Sequence, residues 1–311
     1  MNLQRILAAT LFAFAGASGT IAADSPAVPP HAVPDLVQRI RGELQGPLTE
    51  DSLPHPGVPQ GEFVEGMITD SKTYPGTENA FRVYVPAQYN PSHPACLMVC
   101  LDGLGKTLPT VFDNLIAKGD MPVTIGIFIQ PGNLMPGATP RGRGERSFEY
   151  DTVSDQYPRF LLEEILPEVE KTYKLRHDAA SRAVAGLSSG AACAFTCAWY
   201  RPDQFSKVLS WIGSYTNLAG DKNGVGGAHN YPFMIRRNDK KPIRVFLQDG
   251  DTDLDNDFGN WPLANQSMAK ALAFKGYDYR FEFGHEGHNG NQGNALLPAS
   301  LNWLWRDYKP E

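Results

Sequence analysis

The stretch Ala183-Val184-Ala185-Gly186-Leu187-Ser188-Ser189-Gly190-Ala191-Ala192 decides how this chain folds. Its first residues are apolar and suit a strand, its centre is Gly-x-Ser-x-Gly, and small helix-compatible residues follow. A strand, a tight turn of this composition and a helix form a nucleophile elbow, in which the turn presents the serine hydroxyl. Gly186 and Gly190 lie where side chains would collide between strand and helix. The five-residue motif alone occurs by chance in about one chain in ten of this length, so its flanks carry the prediction that Ser188 is a nucleophile.

Composition and charge narrow the classes of protein. The chain has 311 residues, of which 42% are hydrophobic and 20% charged, as in globular proteins with one large core. Its net charge of -6 argues against nucleic acid or an anionic membrane surface as a partner. The oligomeric state is left open by the sequence.

The first residues form a separate element. Arg5 gives a basic start, residues 6–17 are apolar, and small residues at 20–23 suit cleavage. The pattern predicts a secretory signal peptide over residues 1–23, because the apolar run is too short for a membrane span and polar, proline-rich sequence follows. No cysteine lies near the cleavage region, which argues against a lipoprotein anchor. We expect an exported protein, either periplasmic or released.

The rest of the sequence predicts an N-terminal arm followed by one domain. Residues 24–60 are rich in proline, with one short helical segment at 35–44, and residues 61–311 form the predicted catalytic domain. The predicted strands span residues 62–68, 80–85, 95–101, 123–129, 182–185, 207–212, 243–247 and 279–283. The predicted helices span residues 108–118, 157–173, 190–200, 262–275 and 296–308. The first two strands suit an antiparallel edge, and the later alternation predicts an α/β fold with a mostly parallel sheet and helices on both faces.

The four cysteines are poorly placed for disulfides, although export permits them. Cys96 and Cys100 lie on one strand, where four residues of separation are too far to bridge. Cys193 and Cys197 share one face of the helix after the elbow. We expect four buried thiols, with a pair between strand and helix as the alternative.

A serine nucleophile needs a base, and His288 is the candidate. It follows the last predicted strand, and the chemistry of open α/β sheets lies beyond the carboxyl ends of the strands. Glycines flank the segment His285-Glu286-Gly287-His288, as expected of a loop that turns back over the sheet. His285 is the nearby rival.

A carboxylate must hold the imidazole in the correct tautomer. The strand at 243–247 runs into Gln248-Asp249-Gly250-Asp251-Thr252-Asp253-Leu254-Asp255-Asn256-Asp257. Asp253 is the candidate, because it leaves enough loop to reach a histidine across the sheet edge; Asp249 and Asp255 are the reserves. The chain order Ser188, Asp253, His288 is that of α/β-hydrolases.

These aspartates do not form a standard calcium loop. Starting from Asp249, Asp251 or Asp253, the sixth and twelfth positions lack the glycine and glutamate of an EF-hand. A looser calcium site stays open as an alternative. His285 and His288 are three apart among glycines, whereas zincin ligands are four apart on a helix. We therefore expect no metal and no cofactor in the reaction.

The oxyanion of an ester intermediate needs preorganised donors. The backbone N–H of Ser189, at the start of the helix, is one candidate. The second normally comes from the loop after the third strand, here Leu101-Asp102-Gly103-Leu104-Gly105. We assign the N–H of Leu104, with Gly103 as the alternative.

With these pieces the chain resembles the esterases related to feruloyl esterases and the enterobactin-esterase-like (esterase D-like) hydrolases of the α/β-hydrolase superfamily. The resemblance runs from about residue 60 to residue 308 and implies serine esterase chemistry at Ser188, Asp253 and His288. Two departures are Ala191, where many relatives have a second glycine, and Gln292-Gly293-Asn294 in place of a more usual His-Gly-Gly. The segments that carry the resemblance are Tyr84-Val85-Pro86-Ala87-Gln88-Tyr89, Leu101-Asp102-Gly103, Glu149-Tyr150-Asp151-Thr152-Val153-Ser154-Asp155, Ala185-Gly186-Leu187-Ser188-Ser189-Gly190, Leu254-Asp255-Asn256, Gly259-Asn260-Trp261-Pro262-Leu263-Ala264-Asn265-Gln266, Leu297-Pro298 and Trp303-Leu304-Trp305-Arg306-Asp307-Tyr308.

Substrate contacts are expected from arginines in the insertion at 132–157 and from aromatic residues near the site. Arginine suits an acidic or sugar group, and aromatic rings stack on an aromatic acyl group or a sugar. The candidates are Arg141, Arg143, Arg146, Trp211, Tyr215 and Trp261, of which Arg146, Trp211 and Trp261 are preferred.

The function expected is that of a secreted serine carboxylesterase that removes feruloyl or acetyl groups from plant polysaccharides through an acyl-enzyme. Its partner would be a small-molecule or polysaccharide ester. The alternatives are hydrolysis of a siderophore trilactone and a catalytically silent carbohydrate-binding relative.

Overall fold

The structure is a computed structural model that describes residues 48–104, 107–141, 143–219 and 226–308. The predicted signal peptide, the helical segment at 35–44 and most of the proline-rich arm lie outside these residues. The described end of the arm begins with a 3-10 turn at Glu50–Ser52. It packs on the domain through Asn114, whose amide donates to the carbonyl oxygens of Asp51 and Leu53 at 2.8 and 2.9 Å.

A single large sheet organises the described part of the chain. Its strands are β1 (Glu62–Ile68), β2 (Thr77–Val85), β3 (Cys96–Leu101), β4 (Thr124–Ile129), β5 (Asn133–Leu134), β6 (Arg182–Leu187), β7 (Lys207–Trp211), β8 (Arg244–Gly250) and β11 (Asp278–Gly284), and a separate small hairpin contains β9 (Asp255–Asn256) and β10 (Gly259–Asn260). The order is β1-β2-β4-β3-β6-β7-β8-β11, with β5 beside β2. β1 and β2 are antiparallel to their neighbours, and β4, β3, β6, β7, β8 and β11 run parallel to one another. This arrangement confirms the predicted α/β fold and its antiparallel edge.

Helices cover both faces of the sheet. They are α1 (Leu108–Lys118), α2 (Glu145–Tyr150), α3 (Gln156–Phe160), α4 (Leu166–Glu170), α5 (Ser189–Tyr200), α6 (Tyr231–Arg237), α7 (Trp261–Phe274) and α8 (Asn291–Trp305), with a π-helical turn at Leu161–Ile165 between α3 and α4 and 3-10 turns at Ala179–Ser181 and Ala228–Asn230. No helix of the described residues has the length and apolar character needed to cross a membrane.

The side chains of β3 show how the sheet divides the core. Leu97 and Val99 point into the cluster beneath α5 and α7, whereas Met98 and Cys100 point into the cluster beneath α1 and α8. All six residues of this strand are buried. A strand covered on both faces must be apolar at every position, which explains why the central strands are continuous apolar runs.

Sequence patterns missed two helices and the break in a third. The sequence analysis predicts no helix over the segments that form α2 and α6. The predicted helix at 157–173 is interrupted by the π-helical turn, which ends just before Pro167. Proline has no N–H to donate and its ring crowds the preceding turn, so the helix is rearranged at this point.

The four cysteines are all buried free thiols, as the sequence predicts, and the alternative pair between strand and helix does not form. Burial raises the pKa of the Cys96 thiol to about 11 and that of Cys100 higher still. Thiols with such pKa values stay protonated and unreactive at neutral pH. They act here as small hydrophobic side chains.

A buried glutamate beside the sheet links stability to pH. Glu149 of α2 is 1% exposed and accepts hydrogen bonds from the Gly132 amide at 3.0 Å and from Asn79 Nδ2 at 3.1 Å. Burial raises its pKa from 4.5 to about 7, against the opposing effect of these two donors. The folded protein therefore holds a proton on Glu149 in a pH range where the unfolded chain has released it.

We predict that Glu149→Gln becomes increasingly stabilising, relative to the wild type, as pH rises from 4.5 to 8. The wild type loses stability over this window because its unfolded state binds fewer protons, whereas glutamine does not titrate. The free energy of unfolding from urea titrations should shift in favour of the variant by about 1–3 kcal/mol between the two pH values. Glu163→Gln, at an exposed position of the π-helical turn, is the control. A constant difference for Glu149→Gln across the window would contradict the prediction.

Candidate active site

Ser188 occupies a strained turn between β6 and α5. Its φ of 58° and ψ of -123° lie in a region that residues with a side chain rarely adopt. Backbone hydrogen bonds to β7 and the segment after it help to hold it there, from the Ser188 amide to the Trp211 carbonyl at 3.0 Å and from the Ser214 amide to the Ser188 carbonyl at 3.1 Å. The turn thereby aims the serine side chain away from the sheet.

The two glycines of the motif allow strand and helix to approach. A Cβ on Gly186 would overlap the carbonyl group of Gly190, and a Cβ on Gly190 would lie 2.6 Å from the Cβ of Asp102. Neither position accommodates a larger residue without moving the backbone. The steric argument made from the sequence therefore holds at Gly186, whereas at Gly190 the close contact is with the end of β3.

A chain of hydrogen bonds joins the three residues expected to react. Ser188 Oγ lies 2.8 Å from His288 Nε2, and His288 Nδ1 lies 2.6 Å from Asp253 Oδ1. Ser188 and Asp253 are buried, and the His288 side chain is 22% exposed. The three side chains come from the ends of β6, β8 and β11, all at the carboxyl edge of the parallel sheet. This geometry permits proton transfer from the serine hydroxyl to the imidazole.

Asp253 is held as a carboxylate. Burial acts to raise its pKa, but hydrogen bonds with His288 and Asp249 and from the Leu254 amide outweigh it, so that the pKa lies below its ordinary value. The Leu254 amide is 2.6 Å from Oδ1. An ionised carboxylate beside Nδ1 keeps the imidazole hydrogen on that nitrogen and leaves Nε2 free to accept a proton.

The rival residues from the same loops lie elsewhere. His285 is exposed and pairs with Asp251 at 2.6 Å. Asp255 is exposed on β9, and Asp249 is fully buried behind Asp253. Of the alternatives, only Asp249 contacts the serine–histidine–aspartate group, through Asp253. In the described ranges, no three or more histidine, cysteine, aspartate or glutamate side chains are grouped so that they could hold a metal ion.

Ser214 is a site residue that the sequence analysis missed. Its Oγ lies 3.1 Å from Ser188 Oγ and accepts a hydrogen bond from Trp261 Nε1 at 3.1 Å. It follows β7 in the segment Ile212-Gly213-Ser214, where Ile212 has a φ of 42°, which is strained for a β-branched residue. Ser214 follows the carboxyl end of β7, the strand beside β6, and this position is the signal that could have identified it.

The loop after β3 is the candidate second half of an oxyanion site. Asp102 and Gly103 have φ values of 62° and 69°, so the chain turns sharply at the end of the strand. Leu104 follows with its side chain buried, and the next two residues lie outside the described ranges. Ser189 is the first residue of α5, where backbone amides lack partners within the helix. The oxyanion roles of Ser189 and Leu104 remain proposals.

The candidate arginines are engaged by protein groups. Arg146 forms an ion pair with Asp102 and donates to Ser189 Oγ at 3.2 Å. Arg141 pairs with Glu145 at 2.6 Å. Arg143 donates to the Leu218 carbonyl at 3.1 Å, and its guanidinium lies 4.0 Å from the centre of the Phe258 ring. Of the three, Arg146 lies beside the elbow, where its contacts with Asp102 and Ser189 link the loop after β3 to α5.

Two of the three candidate aromatic residues lie in the core, which corrects the expectation for them. Trp211 is fully buried in the cluster beneath α8, where its ring packs on Gly293, and it supports Ser188 only through its backbone carbonyl. Tyr215 is also buried, with its hydroxyl 2.9 Å from Ser210 Oγ. Trp261 lies at the site, with its ring edge-on to His288 and 5.8 Å between the ring centres, but it is only 2% exposed, so the expectation that it stacks on a substrate is corrected as well.

An open groove adjoins this group of residues. Its volume is about 650 Å³, and its wall begins at Tyr215 and Asn260, the chain neighbours of Ser214 and Trp261. Phe233 and Leu263, 65% and 62% exposed, line it together with Phe258. Such exposed apolar side chains along a concave surface are typical of a ligand site. A smaller groove of about 360 Å³ includes Gly103 and Leu104, on the side of the β3 loop.

Comparison with known proteins agrees with this architecture. Residues 72–275 match a protein family described as "Putative esterase". The ferulic acid esterase of Anaeromyces mucronatus, in complex with ferulic acid, is similar with a TM-score of 0.64 and 18% identity over 81% of this chain and 94% of that chain. Another ferulic acid esterase is similar with a TM-score of 0.63 and 20% identity, over 80% of this chain and 100% of that chain. The enterobactin esterase of Shigella flexneri is similar with a TM-score of 0.61 and 19% identity, over 84% of this chain and 64% of that chain. The solved structures show that the fold is that of the α/β-hydrolase esterases.

We predict that Gly186→Ala destabilises the protein by about 2–4 kcal/mol, because the new methyl group meets backbone that cannot rotate away. Gly119→Ala is the matched control. Gly119 caps α1 with a φ of 77° in open space, so its replacement costs only the backbone strain of about 1 kcal/mol. The free energy of unfolding should therefore fall further in Gly186→Ala than in Gly119→Ala. An equal cost for the two variants would show that the approach of β6 and α5 is not sterically limiting.

Proposed function

Since the matching family spans most of the chain, the chain belongs to this esterase family, and we propose that it is a secreted serine carboxylesterase that removes feruloyl or acetyl groups from plant polysaccharides. The hydrogen-bonded series Ser188, His288 and Asp253 is the observation that carries the proposal. The expected signal peptide supports export to where such polysaccharides occur. The intact series speaks against a silent carbohydrate-binding protein.

The proposed reaction has two halves. Ser188 Oγ attacks the ester carbonyl carbon as its proton moves to His288 Nε2, and the resulting imidazolium is stabilised by Asp253. Collapse of the intermediate expels the alcohol, which takes the proton from Nε2 and leaves an acyl group on Ser188. Water then attacks the acyl-enzyme, again giving its proton to His288, and the acid is released as Ser188 is regenerated.

Charge on the carbonyl oxygen would be met by two backbone amides. We assign these to Ser189 and Leu104, with Gly103 as the alternative for the second. The N-terminus of α5 adds the positive end of its helix dipole near the Ser189 amide. Arg146 supports both halves of this site, since it links Asp102 to the Ser189 side chain.

The large groove supports an ester with an aromatic acyl group. Phe233, Phe258 and Leu263 offer apolar surface in a groove whose wall includes Tyr215 and Asn260, the chain neighbours of Ser214 and Trp261, and an aromatic ring gains from contact with such side chains. Similarity to ferulic acid esterases agrees with this choice. Hydrolysis rates for methyl ferulate, acetylated xylan and a trilactone siderophore would rank the substrate classes, and we expect methyl ferulate to be preferred.

We predict that Ser188→Ala lowers kcat for methyl ferulate by about 10⁴-fold or more, because no other group replaces the nucleophile. Ser300→Ala is the matched control, since it removes a buried hydroxyl of α8 that donates to the Leu297 carbonyl and lies outside the site. It should retain activity within about tenfold. Comparable activity in Ser188→Ala and the wild type would end the proposal.

We predict that Leu263→Ala raises KM for methyl ferulate about 3–10-fold and leaves kcat/KM for a phenyl acetate ester nearly unchanged. The loss of apolar contact, about 1 kcal/mol, falls only on a substrate whose acyl group reaches the groove. Phe274→Ala removes an equally exposed apolar side chain outside the groove lining and serves as the control. Equal effects on both esters would rule out the groove as the acyl site.

A further inference from the structure

Asp249 is a buried carboxyl that the proposed reaction does not use. It lies near the end of β8, fully shielded from solvent, and its Oδ1 accepts a hydrogen bond from the Gly250 amide at 2.8 Å. Its carboxyl also lies against the carboxyl of Asp253, close enough for each to influence the pKa of the other. Two carboxylates in contact in a protein interior repel strongly, so such a pair shares a proton.

Three buried oxygen atoms at this contact lack a donor. They are Oδ2 of Asp249, Oδ2 of Asp253 and Oδ1 of Asn265. The Asn265 amide nitrogen donates to the carbonyl oxygens of Gly213 and Trp261, at 2.9 and 3.1 Å. Because buried polar atoms nearly always have a partner, we expect one of the two carboxyl groups to carry a hydrogen, which would join the two Oδ2 atoms as donor and acceptor. That hydrogen does not supply a donor to Asn265 Oδ1 as well.

The surroundings decide which carboxyl carries the hydrogen. Asp253 accepts from His288 Nδ1 and from the Leu254 amide, both of which favour its ionised form. Burial raises the pKa of Asp249 well above its usual range, and the contact with Asp253 raises it further, against the smaller effects of Gly250 and Asn265. The hydrogen therefore belongs on Asp249.

We propose that Asp249 is a positioning residue that, as a neutral carboxylic acid, donates a hydrogen bond to Asp253 Oδ2. The inference rests on the proposed function, in which Asp253 orients His288. Donation to Oδ2 fixes the rotation of the Asp253 carboxylate, so that Oδ1 stays directed at His288 Nδ1. It also draws negative charge away from Oδ1, which limits how strongly Asp253 stabilises the imidazolium.

The charged groups around Asp249 do not offer another partner for the hydrogen. Asp249 is packed by the loop that carries Asp253, by Asn265 of α7 and by Phe283 of β11, its parallel neighbour. Glu282, which precedes Phe283 on β11, forms an ion pair with Arg280. In the loop, the exposed pair of His285 and Asp251 is separate from Asp249 and largely screened by water.

Two variants of the full chain distinguish a protonated Asp249 carboxyl from an ionised one. Asp249→Asn keeps a donor toward Asp253, and Asp249→Leu has similar size without one. The measurement is the pH dependence of kcat/KM for p-nitrophenyl acetate. We expect the acid limb of Asp249→Asn to coincide with that of the wild type within about 0.3 pH unit. The limb of Asp249→Leu should move up by about half to one unit, with kcat/KM at pH 6 reduced about 3–10-fold.

Other outcomes would overturn the proposal. A downward shift of about one unit in Asp249→Asn would mean that a negative charge had been removed, so that Asp249 is ionised. An unshifted limb in Asp249→Leu would mean that its hydrogen does not act on Asp253. Should Asp249→Leu fail to fold, Asp249→Ala is measured in its place with the same expectations.

Infrared spectroscopy tests the protonation state without any turnover. The difference spectrum of wild type minus Asp249→Asn at pH 7 should contain the C=O stretch of a protonated carboxylic acid; the Glu149 carboxyl is common to both proteins and cancels. Absence of that band would refute the neutral acid. Because this readout does not depend on hydrolysis, it separates failure of the Asp249 assignment from failure of the proposed function, which Ser188→Ala tests.

Discussion

The close approach of β6 to α5 is the constraint on which the rest of the site depends. With no side chain at Gly186 or Gly190, the chain reverses so tightly that Ser188 is driven to a positive φ. The strain of such a conformation, of order 1–3 kcal/mol, is sustained by backbone hydrogen bonds to Trp211 and Ser214. A serine in an ordinary turn would rotate freely; here its hydroxyl meets His288 at 2.8 Å.

Sheet topology supplies the other members of the site. β6, β8 and β11 end at the same edge, so residues that lie 100 and 35 positions apart in the chain meet within hydrogen-bond distance. Asp249 lies near the end of β8, and the loop that follows carries Asp253. The loop after β11 is glycine-rich and returns His288 over the strand ends. The site is therefore built from loops on a rigid sheet, an arrangement that allows the groove to vary without loss of the reactive group.

Sequence patterns predicted those parts of the structure that local chemistry determines. The central strands, the elbow and the choice of Ser188, Asp253 and His288 for one site all followed from motifs and from the rule that sites lie beyond strand ends. Trp211 was misplaced because it was judged by residue type. It lies two residues after Leu209 on β7, and strand alternation puts both on the same buried face.

Contacts between distant segments were beyond the reach of sequence patterns. Ser214 and Trp261 meet across 47 positions, and α2 and α6 are short helices whose residues are ordered by packing on the domain. The pairing of Asp249 with Asp253 depends on how far the loop folds back on β8, which composition does not indicate. Each of these features is set by tertiary structure.

Mass spectrometry after reaction with a fluorophosphonate tests the central claim most directly, because the reagent phosphorylates an activated serine and leaves ordinary serines unmodified. The account predicts one adduct per chain, located on the peptide that contains Ser188, and its loss when His288 is replaced by alanine. An unmodified Ser188, or an adduct that forms equally well without the His288 imidazole, would contradict it.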